Sequence, residues 1–203
     1  MKIICIGRNY KAHASELGNA VPNEPVVFIK PDSAVIQSRN PFFIPEFSND
    51  IHHEVEVFVR INRLGKHISK KFAHKYYDEI GLGIDFTARD LQGYLKSKGL
   101  PWEKAKSFDG SCLVGSAFNK DELSDLGDLE FRLEKNGQLV QIGNTKDMIF
   151  KIDEIIAHVS RFFTLKIGDL IFTGTPKGVG PVTRGDKLQG FLQDRSCFSL
   201  NIK

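Results

Sequence analysis

Eight short runs of apolar and β-branched residues, each closed by Gly, Pro or Asn, constrain this chain more than any other feature. They cover residues 2–6, 25–30, 51–61, 80–87, 129–134, 139–142, 169–173 and 187–202, and each reads as one or more strands. Asn136-Gly137 separates two of them by two residues that both tolerate positive φ, which predicts a tight hairpin. Helical spacing is confined to three places. Ile152, Ile155, Ile156, Val159, Phe162 and Phe163 make one apolar stripe, with Asp153 as cap or first-turn acid. Residues 88–98 form a second helix ended by Gly99 with Pro101 beyond, and residues 12–17 a short third closed by Gly18. Strands and helices do not alternate regularly, so a doubly wound sheet is not expected. The expectation is mixed β with short helices (α+β), in one domain spanning 1–203.

Size and composition narrow the function classes. At 203 residues with 41% apolar and 26% charged side chains, the chain suits one substantial core. No apolar run reaches the roughly 18 residues of a membrane helix, so no membrane partner is expected. A net charge of +3 is too mild to argue for nucleic acid, and the basic stretch from Arg60 to Lys75 reads as a solvated connection. Cys5, Cys112 and Cys197 are scattered without metal or redox spacing, which fits a reducing cytoplasm.

Several segments carry groups suited to chemistry. In His52-His53-Glu54-Val55-Glu56-Val57 the two glutamates alternate, which on a strand sends both to one face. With Asp85 they would form a three-carboxylate set needing a compensating cation, and all-oxygen donors favour Mg²⁺, Mn²⁺ or Ca²⁺. A half-exposed strand with two ordinary glutamates has the same pattern. His13 and Glu16, three apart on a helix, can pair, and a carboxylate beside an imidazole raises its basicity. An exposed amphipathic helix would look alike. Arg8 leaves the first strand at a glycine turn, and Arg89 and Gln92 share a helix face after Asp85. Lys106 beside the Phe108 segment is a better candidate than Lys104 to stabilise an enolate or supply a proton. Gly174-Thr175-Pro176-Lys177-Gly178-Val179-Gly180 lacks the ending of a nucleotide-binding loop. It reads instead as a rigid loop offering backbone amides and the Thr175 hydroxyl to an anionic substrate.

Taken in order, these landmarks resemble the fumarylacetoacetate hydrolase family. They are Gly7-Arg8-Asn9-Tyr10 with His13 and Glu16, the Glu54/Glu56 segment, Asp85-Phe86-Thr87-Ala88-Arg89-Asp90-Leu91-Gln92, Lys98-Gly99-Leu100-Pro101-Trp102 through Lys106, and the Thr175 loop. Within that family the chain looks like the small single-domain acylpyruvate hydrolases that also decarboxylate oxaloacetate. The resemblance implies a β-sandwich roll, commonly a homodimer, with Mg²⁺ or Mn²⁺ (Ca²⁺ as a substitute) on Glu54, Glu56 and Asp85. It implies a His13/Glu16 dyad on a lid-like segment within residues 14–24, Lys106 as the active-site lysine, and Arg8, Arg89, Gln92 and Thr175 near a small 2-oxoacid substrate. Where the family commonly has proline after the Ser-Cys pair, this chain has Leu113, expected to alter a loop. The implied reaction is hydrolysis of 3-acylpyruvates to pyruvate and a carboxylic acid, with decarboxylation of oxaloacetate at the same site. A tautomerase or isomerase of a related 2-oxo dicarboxylate, and a non-catalytic 2-oxoacid binder, are the alternatives.

Overall fold

The computed structural model describes residues 1–16, 20–37 and 40–203. Its largest sheet takes the strands β1 (Lys2–Gly7), β2 (Val26–Pro31), β4 (Val55–Ile61), β5 (Tyr77–Asp85), β7 (Cys112–Asn119) and β10 (Leu170–Phe172) in the order β2-β1-β10-β4-β5-β7. Only β1 and β10 pair in parallel; the other pairs are antiparallel. A four-stranded sheet orders β13 (Arg195–Asn201), β12 (Lys187–Leu192), β8 (Glu130–Lys135) and β9 (Gln138–Asn144). A small third sheet joins β11 (Gly180–Pro181), β3 (Ile51–His53) and β6 (Thr87–Ala88). The helices are short: α1 (Lys11–Glu16), α2 (Lys70–Ala73), α3 (Arg89–Ser97), α4 (Glu103–Lys106) and α5 (Ile152–Val159). This is the expected mixed α+β roll.

Strand alternation explains why the central sheet is apolar on both sides. Ile4 and Ile6 enter the main core with Val55, Val57, Val59, Leu82, Ile84 and Leu188, while Ile3 and Cys5 join Phe58, Leu170, Phe172 and Cys112 on the opposite face. A strand buried on both faces reads as an unbroken apolar run, as Ile3-Ile4-Cys5-Ile6 does. Glu56 alternates with Val55 and Val57, so it shares the face of Phe58. The acid therefore emerges on the second face, at the edge of an apolar cluster.

Local signals were obeyed where the backbone demanded them. Asn136 and Gly137 have φ of 56° and 78° and close the β8–β9 hairpin. The helix after Asp85 runs Arg89–Ser97 and is followed by Gly99 at φ 63°. Some expectations need correction. The run 51–61 is two strands, because Ile51 and His52 pair with β6 in the small sheet whereas Val55 onward pairs with β5 in the large one. Helix α5 stops at Val159, so Phe162 is exposed and only Phe163 packs against the core. The basic stretch from Arg60 is largely exposed but carries the one-turn helix α2. Leu113 lies in β7 opposite Ile84 rather than in a loop. The strand β7 itself was not expected, because Gly115, Ser116 and Ala117 dilute its apolar signal. Leu17 and Gly18, proposed to close α1, and part of the proposed lid lie outside the described residues.

Candidate active site

The chain changes sheets at Glu54, and that crossing builds the site. His53 pairs with Gly180 and Val55 with Ile84, which leaves Glu54 between two strands. Its carbonyl accepts the Asp85 amide at 2.9 Å, locking the crossing to the end of β5. Gln141 braces it from the far side. Its Oε1 accepts from the Val55 amide at 3.1 Å and sits 2.9 Å from His53 Nδ1, while its Nε2 donates to Thr175 Oγ1 at 2.9 Å. Ligand-type oxygens of Glu54, Glu56 and Asp85 consequently lie within 4.8 Å of one another, all buried.

Protein cations already balance part of this charge. Lys106 Nζ donates to Glu54 Oε2 at 2.8 Å, Asp85 Oδ2 at 2.7 Å and Thr87 Oγ1 at 2.6 Å. Arg89 donates to Glu54 through Nη2 and to Gln92 Oε1 through Nη1 at 2.7 Å. Lys30, with no exposed surface, places Nζ 2.8 Å from Asp85 Oδ1 and also donates to the Lys106 carbonyl and to Ser111. Glu56 is treated differently. Its one hydrogen bond among the described residues is the Gly174 amide at 2.8 Å.

The protonation energetics follow that asymmetry. Burial works to raise the Glu54 carboxyl, but Lys106 and Arg89 override it and hold it well below the usual range. Burial, then Asp85 and Glu54, push Glu56 well above its usual range. A buried acid that lacks a cationic partner and faces two other carboxylates fits a hard divalent cation, and oxygen-only donors are what Mg²⁺ or Mn²⁺ takes. Lys106 is pulled down by burial and raised more strongly by Asp85 and Glu54, ending above an ordinary lysine. The two acids thus hold it between them as an ammonium.

The imidazole stands across the cavity. His13 on α1 is buried, with Nδ1 3.2 Å from Glu16 Oε2. Glu16 is itself held by the Gly178 amide, 3.1 Å from Oε1. Thus the glycine loop spends two of its amides on Glu56 and Glu16, while Thr175 lines the cavity. Gly174 is needed there: at φ 100°, a Cβ would meet Asn9 Cβ at 2.8 Å. Asn9 pins the neighbouring turn, donating to Thr173 O at 2.8 Å and accepting from the Phe150 amide at 2.7 Å. That turn holds Arg8 at φ 60°, a left-handed conformation uncommon for a side chain of its kind.

A narrow cavity of about 40 Å³ collects Arg8, His13, Glu54, Glu56, Asp85, Arg89, Gln92, Lys96, Lys106 and Thr175. All of the sequence-selected site residues except Glu16 line it, and Glu16 holds His13 from behind. A far larger hollow, about 710 Å³ between β7 and β13, contains none of them. His52 and His53 stay out of the acid cluster; His52 Nε2 is 2.9 Å from Asp50, and burial pushes the His53 imidazole down to about 4. Sequence reading missed Lys30, Lys96, Gln141 and Thr87. Lys96 was the findable one, seven residues after Arg89 on the same helix face.

Converging carboxylates, a carboxylate-held imidazole and a buried ammonium in one narrow cavity are the equipment of a metal-assisted enzyme. The chain belongs to the fumarylacetoacetate hydrolase family: the family described as fumarylacetoacetate (FAA) hydrolase C-terminal matches residues 2–203. It is 45% identical over 188 residues to the oxaloacetate tautomerase YcgM of Escherichia coli strain K12, covering 92% of this chain and 86% of that protein. It is 44% identical over 189 residues to the mitochondrial oxaloacetate decarboxylase of Dictyostelium discoideum, covering 93% and 87%. The crystal structure of fumarylpyruvate hydrolase from Pseudomonas aeruginosa in complex with Mn²⁺ and pyruvate superposes with a TM-score of 0.93 at 33% identity, covering 100% of this chain and 89% of that one.

Proposed function

We propose that this protein catalyses enolisation of a small 2-oxoacid of the oxaloacetate type, using Mg²⁺ or Mn²⁺ held by Glu54, Glu56 and Asp85. The observation that carries this reading is the convergence of those acids with His13 and Lys106 in one cavity of about 40 Å³. When bound, the divalent ion supplies Lewis-acid polarisation of the 1-carboxylate and 2-oxo oxygens. Arg89, Gln92 and Thr175 orient the substrate beside it. His13, kept in position by Glu16, takes a proton from C3 and returns it to oxygen, which exchanges keto and enol forms. The fixed ammonium of Lys106 stabilises the negative charge that develops. Loss of CO₂ from oxaloacetate draws on the same stabilised enolate. The names of the two close relatives support this reading.

A second reading is hydrolysis of 3-acylpyruvates to pyruvate and a carboxylic acid, with His13 activating water for attack on the distal carbonyl. The double anchoring of Glu16, to His13 and to the Gly178 amide, favours it, since a water-activating base must hold its orientation. The likeness to the Pseudomonas aeruginosa enzyme supports it as well. Residues 1–203 act in this reading as one catalytic domain, as a homodimer, in a reducing cytoplasm consistent with three buried free cysteines. Light scattering tests the dimer.

The reaction is tested by following loss of the oxaloacetate enol absorbance, pyruvate release and acylpyruvate cleavage with Mg²⁺, Mn²⁺ or chelator. His13→Ala is expected to lower tautomerisation and hydrolysis by about 10²–10⁴ while retaining Mn²⁺ binding, and to lower decarboxylation less. Absence of turnover on all of these substrates with metal present overturns the reading.

A further inference from the structure

Gln141 belongs to β9 of the four-stranded sheet, yet its side chain ends beside Thr175, which lines the cavity. It is buried, and every hydrogen-bonding position of its amide is occupied. Oε1 lies 3.1 Å from the Val55 amide and 2.9 Å from His53 Nδ1, while Nε2 lies 2.9 Å from Thr175 Oγ1 and 3.1 Å from the Pro176 carbonyl.

These partners fix which end of the side-chain amide is which. A backbone N–H can only donate and a backbone carbonyl can only accept, so the oxygen faces Val55 and the amino group faces Pro176. His53 therefore carries a proton on Nδ1, and the second Nε2 hydrogen goes to Thr175 Oγ1. That makes the Thr175 hydroxyl an acceptor toward Gln141, so its own proton must go elsewhere. Among the described residues no protein group accepts it. Thr175 is buried against the same cavity as Arg89 and Gln92.

We propose that Gln141 is a positioning residue of the active site: by donating to Thr175 Oγ1 it commits that hydroxyl to donate into the cavity, to a carboxylate oxygen of the bound 2-oxoacid. A hydroxyl left to itself can rotate and present a lone pair to an anion. Accepting from an amide also polarises its O–H, which strengthens the bond it donates. The role rests on the reaction proposed above for the presence of an anionic substrate, and it enlists a residue of the second sheet that does not itself line the cavity.

A double-mutant cycle tests it, read as kcat/KM for oxaloacetate and as calorimetric affinity of the Mn²⁺-loaded protein for oxalate, a planar analogue of the enolate. Thr175→Val should cost about tenfold in both readouts and Gln141→Met about fivefold, with Mn²⁺ affinity changed by less than about twofold. In the Thr175→Val background Gln141→Met should cost nothing further, because the hydroxyl through which it acts is gone. Thr175→Ser keeps the hydroxyl and should keep the whole dependence on Gln141. A merely structural Gln141 would cost the same in all three backgrounds, and that result overturns the proposal. So does a Thr175→Val variant without loss, or a loss that follows Mn²⁺ affinity. Should Gln141→Met not fold, Gln141→Glu keeps an acceptor for Val55 and His53 and, ionised at about pH 8, can only accept at Thr175. The same pattern is expected of it, and the same results overturn the role. If wild type leaves oxaloacetate unchanged but binds oxalate, the reaction reading alone fails and the oxalate affinities decide. Wild type that binds no oxalate overturns the role as well.

Discussion

The parallel pair β1 and β10 has a buried carboxylate group at each end, and the two ends treat it oppositely. At the start of the pair, Asp169 accepts the Lys2 amide on Oδ1 at 3.0 Å, and the Lys166 amide at 2.7 Å together with the Lys2 ammonium on Oδ2. Burial raises its pKa, but those donors win and hold it below the ordinary range. At the far end, Glu56 receives one amide and faces two other acids, and its pKa goes up. A carboxylate whose oxygens are all supplied fastens strands together. One left short of donors among like charges is poised to take a cation.

The sharpest way to break that contrast is Glu56→Gln. It should abolish calorimetric Mn²⁺ binding and lower turnover by about 10³, while the metal-free protein keeps or gains stability as repulsion from Glu54 and Asp85 is relieved. Unchanged Mn²⁺ affinity would erase the distinction between the two ends. Lys30→Met tests the middle ground, because Lys30 holds both Asp85 and the Lys106 carbonyl. Breaking that buried pair should cost about 3 kcal/mol in chemical denaturation and also reduce kcat. Stability loss with kcat intact would make Lys30 a fastener like Lys2. Asp169→Asn should have the smallest effect, about 1 kcal/mol at pH 7 with activity unaltered. Because the folded pKa of Asp169 is depressed, its contribution is present above the ordinary carboxylate range and lost as pH falls through the folded value. The gap between wild type and variant, read from denaturation curves, should therefore close below about pH 4.

Much of this architecture was legible because it is local. The β8–β9 hairpin follows from two residues that accept positive φ, and the inward face of α3 from the spacing of Arg89 and Gln92. The acids were found because Glu54, Glu56 and Asp85 sit in recognisable segments. Their geometry was less legible. Alternation placed Glu54 and Glu56 on one strand, whereas the chain crosses between sheets at Glu54, and only the pairing of His53 with Gly180 and Val55 with Ile84 reveals it. Nor does the sequence of the glycine loop show that two of its amides hold Glu56 and Glu16.

By itself, then, the sequence determined the strand-rich fold, the short helices and the identity of the chemical groups, since turn conformation, side-chain alternation and helical spacing act over a few residues. The tertiary structure decided which charges meet. Lys30, Glu54, Asp85 and Lys106 come from β2, the β3–β4 crossing, β5 and α4, and nothing in their local sequence says that Lys30 ends beneath Asp85 with no exposed surface. Electrostatic interactions act through space, and their strength depends on burial that only the packed sheets create.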